Sequence, residues 1–262
     1  MDRFDAGRYT HLDKPEVLTR LFHPRPEFGT SRAGEDVSIP VADGLHVGAR
    51  FHQADKKGPT ILFFHGNGEI VADYDELAPY LIRMGANFFP VDYRGYGRSN
   101  GTPTVTAMMH DCHRVFAFVR SFLENKGQTG PLAVMGRSLG SAPGLELARA
   151  YPDQVAGLVI ESGFAHLVPL LDLVGVDVEM LNITEESGVT NLHAMTSITC
   201  PTLIIHAELD HIIPYAEGET LFTACPAQNK RLVRIPGANH NDILARGLDT
   251  YMNALEDFLG QL

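Results

Sequence analysis

Residues 131–150 read PLAVMGRSLGSAPGLELARA, an apolar run followed at once by a glycine-rich turn and a helical stretch. The run PLAVM is short and continuously apolar, which is typical of a strand buried on both faces of a parallel sheet. The turn GRSLG matches G-x-S-x-G, in which a serine is presented at the junction of a strand and a helix. This stretch therefore predicts a strand-turn-helix unit with Ser138 at its turn.

The same alternation extends along most of the chain. Further short apolar runs occupy residues 60–64, 86–91, 155–160, 201–206 and 230–235. Helical periodicity fits residues 70–84, 105–124, 139–150, 216–223 and 244–259. Before them, apolar residues alternate over 37–51 around Asp43-Gly44, which is a strong hairpin signal. We expect an α/β fold with a mostly parallel eight-stranded sheet, helices on both faces and an antiparallel N-terminal hairpin.

Two segments fall outside the alternation. Residues 1–35, which include three prolines, predict an N-terminal arm laid over the domain. Residues 164–198 are rich in apolar side chains and too long for a plain connection, so they predict a small cap insertion. The apolar stripe of the cap could line a pocket or simply pack on the core. We expect one domain over residues 1–262.

Composition narrows the class of protein. Of 262 residues, 44% are hydrophobic and 20% are charged, as in globular proteins. The net charge of -11 provides no basic field for nucleic acid or an anionic membrane surface. Cys112, Cys200 and Cys225 lie far apart and predict neither a disulfide framework nor a thiolate metal site. With no apolar run long enough for a signal peptide or a membrane span, we expect a soluble, cytoplasmic protein with a small-molecule partner.

A second match to the serine pattern, GRSNG, occupies residues 97–101. It follows a loop with two glycines and precedes Asn100-Gly101-Thr102-Pro103, a run of turn formers that cannot open a helix. Ser99 is therefore interpreted as a loop residue, and Ser138 is the candidate nucleophile.

A serine hydroxyl needs a base to accept its proton and a third group to orient that base. His240 lies in a loop after the last predicted strand, at the sheet edge where the carboxyl ends of strands gather. Asp210 follows the strand at 201–206 and is our candidate for the third group, with Glu208 and Glu161 as alternatives.

The other polar candidates are interpreted as structural. Asp242 stands too close to His240 in sequence to orient it easily, and His65 is expected to shape its turn by hydrogen bonding. His110 and His113 share a helix face without further metal ligands nearby, so we expect no metal site.

Five motifs occur in one order: HGNG at 65–68, DYRGYGRSNG at 92–101, GRSLG at 136–140, HAELDHIIP at 206–214 and GANHND at 237–242. Through them the chain resembles the serine-hydrolase branch of the α/β-hydrolase superfamily across nearly its whole length. The order Ser138, Asp210, His240 is also that of this superfamily. The resemblance implies a catalytic triad of these residues.

The same resemblance implies an oxyanion hole formed by the backbone N–H groups of Asn67 and Leu139. We also expect Gly66, Gly68 and Phe164 to contact substrate.

The activity expected from these features is hydrolysis of small to medium carboxylic esters or thioesters through an acyl-enzyme, with no cofactor or metal. A serine peptidase is the alternative enzyme, and Arg94, Arg98 or Arg137 could anchor a peptide terminus or simply brace loops. A non-catalytic binding protein on the same fold is a third possibility. A serine at position 138 argues against relatives that use an aspartate nucleophile, the haloalkane dehalogenases and epoxide hydrolases.

Overall fold

The computed structural model describes residues 5–29 and 33–262, so residues 1–4 and 30–32 of the predicted arm lie outside it. The strands are β1 Glu35–Ala42, β2 Leu45–Phe51, β3 Thr60–Phe64, β4 Asn87–Val91, β5 Leu132–Arg137, β6 Gly157–Glu161, β7 Thr202–Ala207 and β8 Lys230–Ile235. The α-helices are α1 Pro15–Leu21, α2 Ala78–Arg83, α3 Val105–Asn125, α4 Ser141–Ala150, α5 Leu167–Leu173, α6 Asn191–Met195, α7 Tyr215–Ala224 and α8 Ile243–Leu259.

All eight strands form one sheet in the order β1-β2-β4-β3-β5-β6-β7-β8. β1 pairs with β2 in antiparallel fashion, β2 pairs with β4 likewise, and the remaining neighbours are parallel. The predicted fold is confirmed: a mostly parallel eight-stranded sheet with an antiparallel N-terminal hairpin. Because the parallel strands all end at one edge, the loops that follow them meet there.

The core lies on both faces of the sheet. Every residue of β3, β4, β5, β6 and β7 is buried, which explains why these strands read as continuous apolar runs. One layer packs beneath α3, α4, the cap and the arm, and the other packs beneath α2 and α8. Hydrophobic burial on the two faces thus fixes the edge that carries the loops.

The helix predicted over 70–84 is interrupted. The structure has a 3₁₀ turn at Val71–Tyr74 and then α2. Asp73 closes the first turn by accepting the backbone N–H of Ile70 at 2.9 Å. Pro79, in the first turn of α2, has no N–H for a helix that continues from the preceding turn. Local turn chemistry therefore overrides the periodicity that suggested one helix.

The arm and the cap pack against each other and against the domain. Leu12, Val17 and Leu21 of the arm are buried in the same core layer as Leu167 and Leu171 of α5. Two short helices, α5 and α6, are joined by turns within the cap. In the part of the chain that the structure describes, no helix is long and apolar enough to cross a membrane.

Candidate active site

Ser138 stands at the junction of β5 and the helix that follows. Its φ of +51° lies in the left-handed region, which costs a residue with a side chain about 1–2 kcal/mol. Glycines on either side allow this turn to pack closely. A Cβ added to Gly136 would overlap the carbonyl oxygen of Gly140, and one added to Gly140 would overlap that of Phe64. The sharp turn brings the Ser138 hydroxyl to the carboxyl edge of the sheet.

Ser138, His240 and Asp210 are joined by two hydrogen bonds. The Nε2 atom of His240 lies 3.0 Å from the Oγ atom of Ser138, and its Nδ1 atom lies 2.7 Å from Oδ2 of Asp210. All three residues are buried. Because a carboxylate only accepts, Nδ1 carries the proton that His240 donates to Asp210, and Nε2 is left to accept the hydroxyl proton of Ser138. The arrangement can activate a serine.

The carboxylate of Asp210 is held in its charged form. Its burial would raise its pKa, but the hydrogen bonds from His240 and from the backbone N–H groups of Ile213 and Ile212 outweigh that effect. Those amides donate to Oδ1 at 2.8 and 3.0 Å. The pKa of Asp210 therefore stays below its ordinary value of 3.8. At neutral pH it is an ionised acceptor for His240.

The alternative carboxylates are engaged elsewhere. Glu208 accepts the backbone N–H of Gly237 at 2.8 Å, which ties two loops together. Asp242 accepts the backbone N–H of Asn239 at 2.7 Å and thereby shapes the loop that carries His240. Glu161 accepts the hydroxyl of Tyr251 at 2.6 Å beneath the site. Of the candidates, the structure brings Asp210 to His240.

Asn67 and Leu139 flank Ser138 on the cavity wall. Leu139 opens the turn that leads into α4, where the first N–H groups of a helix have no partner within it. Among the hydrogen bonds of residues 5–29 and 33–262, neither the backbone N–H of Asn67 nor that of Leu139 has an acceptor. Two backbone donors beside the serine can bind an oxyanion.

Arg137, the residue before Ser138, connects three parts of the site. Its guanidinium lies 2.8 Å from Glu69, which follows the Asn67 turn, and 2.9 Å from Glu161 at the end of β6. It also donates to the backbone carbonyl oxygen of His240 at 2.8 Å. These carboxylates raise the pKa of Arg137 further above its usual range despite burial. Arg137 is therefore a charged brace within the site.

A cavity of about 450 Å³ opens beside Ser138. The arm, the Asn67 turn, the cap and the loops that carry Ser138 and His240 all contribute to its wall: Arg20, Leu21, His23, Asn67, Glu69, Arg137, Ser138, Leu139, Leu170, Val174, Ile212, His240 and Asn241. A larger cleft of about 1080 Å³ lies at the opposite edge of the sheet, near Gly130 and Pro201. Of these two, the smaller one is lined by Ser138 and His240, so it is the candidate substrate pocket.

The three residues expected to contact substrate are absent from the described wall of this cavity. The Gly66 N–H donates to Glu69 at 2.7 Å, and the Gly68 carbonyl oxygen accepts from Arg25 at 2.7 Å. Phe164 is buried in the core beneath the cap. The apolar part of the wall consists of Leu21, Leu139, Leu170, Val174 and Ile212. The cap contributes Leu170 and Val174, while much of its apolar stripe packs on the core.

The remaining sequence candidates serve structural contacts. Ser99 accepts the backbone N–H of Gly48 at 2.8 Å. His65 hydrogen-bonds through Nδ1 to the carbonyl oxygen of Gly66 at 2.7 Å. Arg94 pairs with Asp111 at 2.6 Å.

Arg98 pairs with Asp36. His110 lies 3.3 Å from Asp111, and His113 lies 3.0 Å from the hydroxyl of Tyr151. No group of metal-binding side chains occurs among the residues that the structure describes.

Sequence reasoning missed the contribution of the arm. Arg20 and His23 line the cavity although they precede the Ser138 motif by more than a hundred residues. Pro15 followed by apolar residues at 17, 18 and 21 is a helix signal. That signal could have located α1, but nothing local indicates where α1 docks.

The fold is that of the α/β-hydrolase superfamily. Residues 55–176 and 175–244 match the model of the family described as serine aminopeptidase, S33. The chain belongs to this family, and its resemblance to the α/β-hydrolase superfamily is confirmed.

Sequence similarity to other proteins extends over most of the chain. It is 28% identical to the α/β-hydrolase domain-containing protein WAV2 of Arabidopsis thaliana, over 86% of this chain and 78% of that protein. It is 30% identical to an uncharacterized protein of Mycobacterium tuberculosis, over 80% of this chain and 73% of the relative.

Solved structures share the fold. An esterase of Pyrococcus furiosus superimposes with a TM-score of 0.74 at 17% identity, covering 91% of this chain and 98% of the esterase. A soluble variant of monoglyceride lipase from Saccharomyces cerevisiae, in complex with a substrate analog, gives a TM-score of 0.71 at 19% identity, over 91% of this chain and 98% of the lipase.

Proposed function

We propose that this protein is a serine hydrolase that cleaves carboxylic ester or thioester bonds of small to medium acyl substrates. The observation that carries the proposal is the pair of hydrogen bonds that joins Ser138 to His240 and His240 to Asp210, at 3.0 and 2.7 Å. A hydrogen-bonded serine, base and orienting acid beside a cavity is the arrangement that nucleophilic acyl transfer requires.

In the first half of the reaction, Ser138 attacks the carbonyl carbon of the substrate as His240 accepts its proton. Asp210 holds the imidazole in the required tautomer and stabilises the imidazolium that forms. His240 then gives the proton to the departing alcohol or thiol, which leaves the acyl group on Ser138. In the second half, His240 removes a proton from water, and the resulting attack releases the carboxylic acid and restores the hydroxyl.

Negative charge develops on the substrate carbonyl oxygen in both halves. The backbone N–H groups of Asn67 and Leu139, which have no acceptor within the described chain, are suited to bind it. Each such donor contributes a factor on the order of 10²–10³ in rate. As written, the reaction uses groups of this chain and water and requires no cofactor or metal.

The family description raises an aminopeptidase as the second candidate. Such an enzyme needs a carboxylate in its pocket to bind the ammonium group of a peptide N-terminus. The carboxylate on this cavity wall, Glu69, already accepts from Arg137 at 2.8 Å, from Gly66 at 2.7 Å and from Tyr74 at 2.5 Å. Its acceptor capacity is largely used, which supports ester rather than aminopeptide substrates.

A substrate panel tests the proposal. Purified protein and its Ser138→Ala variant are assayed with p-nitrophenyl butyrate, the butyryl thioester of N-acetylcysteamine, and the p-nitroanilides of alanine and leucine. We expect turnover of the ester and thioester that is lost in Ser138→Ala. A preference for the aminoacyl anilides would contradict ester specificity, and no turnover of any substrate would favour a binding protein.

A further inference from the structure

One arginine on the cavity wall, Arg20, has no carboxylate partner among residues 5–29 and 33–262. Histidines aside, three charged side chains line this cavity, those of Arg20, Glu69 and Arg137. Glu69 and Arg137 form an ion pair at 2.8 Å. Among the described residues, no carboxylate lies within 4 Å of the Arg20 guanidinium, and the guanidinium donates no hydrogen bond to any of these residues. Its positive charge is therefore available at the cavity.

The side chain of Arg20 extends from the arm toward the cap. It lies in the last turn of α1 on the arm, whereas Val174 and Gly175 follow α5 in the cap. The guanidinium carbon is 4.0 Å from the position that a Cβ of Gly175 would take. Val174 itself lines the cavity. The side chain of Arg20 thus reaches from one wall to the other.

His23 provides a second donor on the same wall. The side-chain oxygen of Asn67 accepts from the backbone N–H of His23 and from the hydroxyl of Tyr96, each at 2.8 Å. The amide nitrogen of Asn67 therefore faces Nδ1 of His23, at 2.9 Å, and donates to it. A neutral His23 that accepts at Nδ1 carries its proton on Nε2.

The arginines that sequence reasoning offered as anchors are all occupied. Arg94 pairs with Asp111, Arg98 with Asp36, and Arg137 with carboxylates inside the site. Arg20, which the sequence did not single out, is the arginine that both lines the cavity and lacks a carboxylate partner in the described structure. The net charge of the chain is -11, whereas the wall carries two arginines, Arg20 and Arg137, and one carboxylate, that of Glu69.

We propose that the cavity takes esters or thioesters that carry an anionic oxygen group, and that Arg20 binds this group while Ser138 attacks the acyl carbon. The inference rests on the proposed hydrolase function and adds the substrate class. The anion takes no part in bond making or breaking, so it acts on binding and orientation. A planar guanidinium can bind a carboxylate through two N–H groups.

The test compares charged and neutral substrates of matched chain length. On the acyl side, p-nitrophenyl half-esters of adipate, suberate and sebacate are compared with p-nitrophenyl hexanoate, octanoate and decanoate. On the alcohol side, the butyrate ester of p-hydroxybenzoate is compared with that of methyl p-hydroxybenzoate. The quantity measured is the ratio of kcat/KM for the charged substrate to that for its neutral partner, in wild type, Arg20→Met, Arg20→Lys and Arg231→Met.

We expect Arg20→Met to lower this ratio about tenfold in at least one of the two substrate series, as the loss of one charge-assisted hydrogen bond implies. We expect Arg20→Lys to lower it less. The substrate series that responds, acyl or alcohol, shows which side of the ester bears the anion. Arg231→Met removes the same charge from an exposed arginine of β8 paired with Asp257, and we expect it to leave the ratio unchanged.

An unchanged ratio in Arg20→Met, or an equal fall in Arg231→Met, would overturn the inference while leaving the hydrolase function intact. Labelling of Ser138 by a fluorophosphonate probe distinguishes failure of the substrate-class inference from failure of the hydrolase function. If wild type is neither labelled nor able to hydrolyse any of these esters, the proposed function itself fails, and the substrate class fails with it.

Discussion

The guanidinium group of Arg137 donates a hydrogen bond of 2.8 Å to the backbone carbonyl oxygen of His240. The residue beside the candidate nucleophile thus contacts the loop that carries the candidate base. The same guanidinium pairs with Glu69, whose carboxylate accepts the N–H of Gly66 in the turn that precedes Asn67. One buried cation therefore holds the His240 loop and the Asn67 turn in place relative to Ser138.

This relationship predicts the effect of Arg137→Met. Breaking a buried ion pair on one side is expected to lower the free energy of unfolding by about 3–5 kcal/mol. Displacement of the His240 loop should in addition lower kcat by about 10²-fold per folded molecule. Kinetics and urea unfolding of the variant, at a temperature where it remains folded, measure both effects.

Arg94→Met is the matched control, because Arg94 also forms an ion pair with a buried carboxylate, that of Asp111, but does not line the cavity. We expect it to lose stability and keep kcat. Equal kcat in the two folded variants would mean that Arg137 only supports the fold.

Asp210→Asn is predicted to lower kcat about 10⁴-fold with little change in KM. An asparagine amide can donate to Nδ1 of His240, which moves the imidazole proton to Nε2 and leaves no acceptor for the Ser138 hydroxyl. Glu208→Gln, two residues away, alters a carboxylate that holds Gly237 and should keep kcat near the wild-type value. Steady-state kinetics of both variants check this, and a comparable loss in Glu208→Gln would contradict the role assigned to Asp210.

The φ of +51° at Ser138 predicts an inversion of the usual order of alanine and glycine. Ser138→Gly should be more stable than Ser138→Ala by about 1 kcal/mol, because glycine adopts this conformation without steric cost. At Ser141, where φ is -62° at the start of α4, the alanine variant should be the more stable by a similar amount. Urea denaturation of the four variants measures both differences, and the same order at both positions would exclude strain at Ser138.

Burial of His206 predicts a loss of stability in mild acid. Its side chain is fully buried and hydrogen-bonds to the carbonyl oxygen of Ile213 at 2.8 Å, and burial lowers its pKa below the ordinary value of 6.5. As pH falls below 6.5, the unfolded chain binds a proton at this residue that the folded protein does not. The contribution of neutral His206 to the free energy of unfolding is therefore complete above pH 6.5. Below that pH the free energy of unfolding falls by up to about 1.4 kcal/mol per pH unit.

Unfolding by urea between pH 7 and pH 5 tests this. We expect a smaller loss in His206→Gln, whereas a variant of the exposed His193 should keep the wild-type dependence. The dependence does not vanish in His206→Gln, because burial also lowers the pKa of His52. Identical slopes in wild type and His206→Gln would contradict the assignment of His206 as a buried neutral histidine.

Local sequence patterns predicted the sheet well. The run at 60–64 has the same bounds in the structure as β3, and the run at 230–235 coincides with β8. Every residue of β3 is buried, so its apolar character reflects its environment directly. β8 lies at the edge of the sheet, where Val233 and Ile235 are buried and Arg234 between them is exposed. The helix over 70–84 was predicted wrongly as continuous, since the capping by Asp73 and the position of Pro79 act over single residues within a longer period.

Contacts between distant segments could not be predicted in the same way. The strand ends brought Ser138, Asp210 and His240 to one edge, because a parallel sheet gathers the loops that follow its strands. No comparable rule predicts where the arm docks on the domain. His23 meets Asn67, 44 residues away, through hydrogen bonds that depend on how α1 packs under the cap. Arg20 therefore emerged as a pocket residue only from the structure.

The most direct test of the account is labelling of the folded protein with a fluorophosphonate probe, followed by mass spectrometry to locate the modified residue. Wild type and Ser99→Ala are compared with Ser138→Ala, since Ser99 accepts from Gly48 and belongs to the other serine motif. We predict labelling at Ser138 in the first two proteins and none in Ser138→Ala. Folded wild-type protein that resists the probe, or that is labelled at another serine, would contradict an activated nucleophile at position 138.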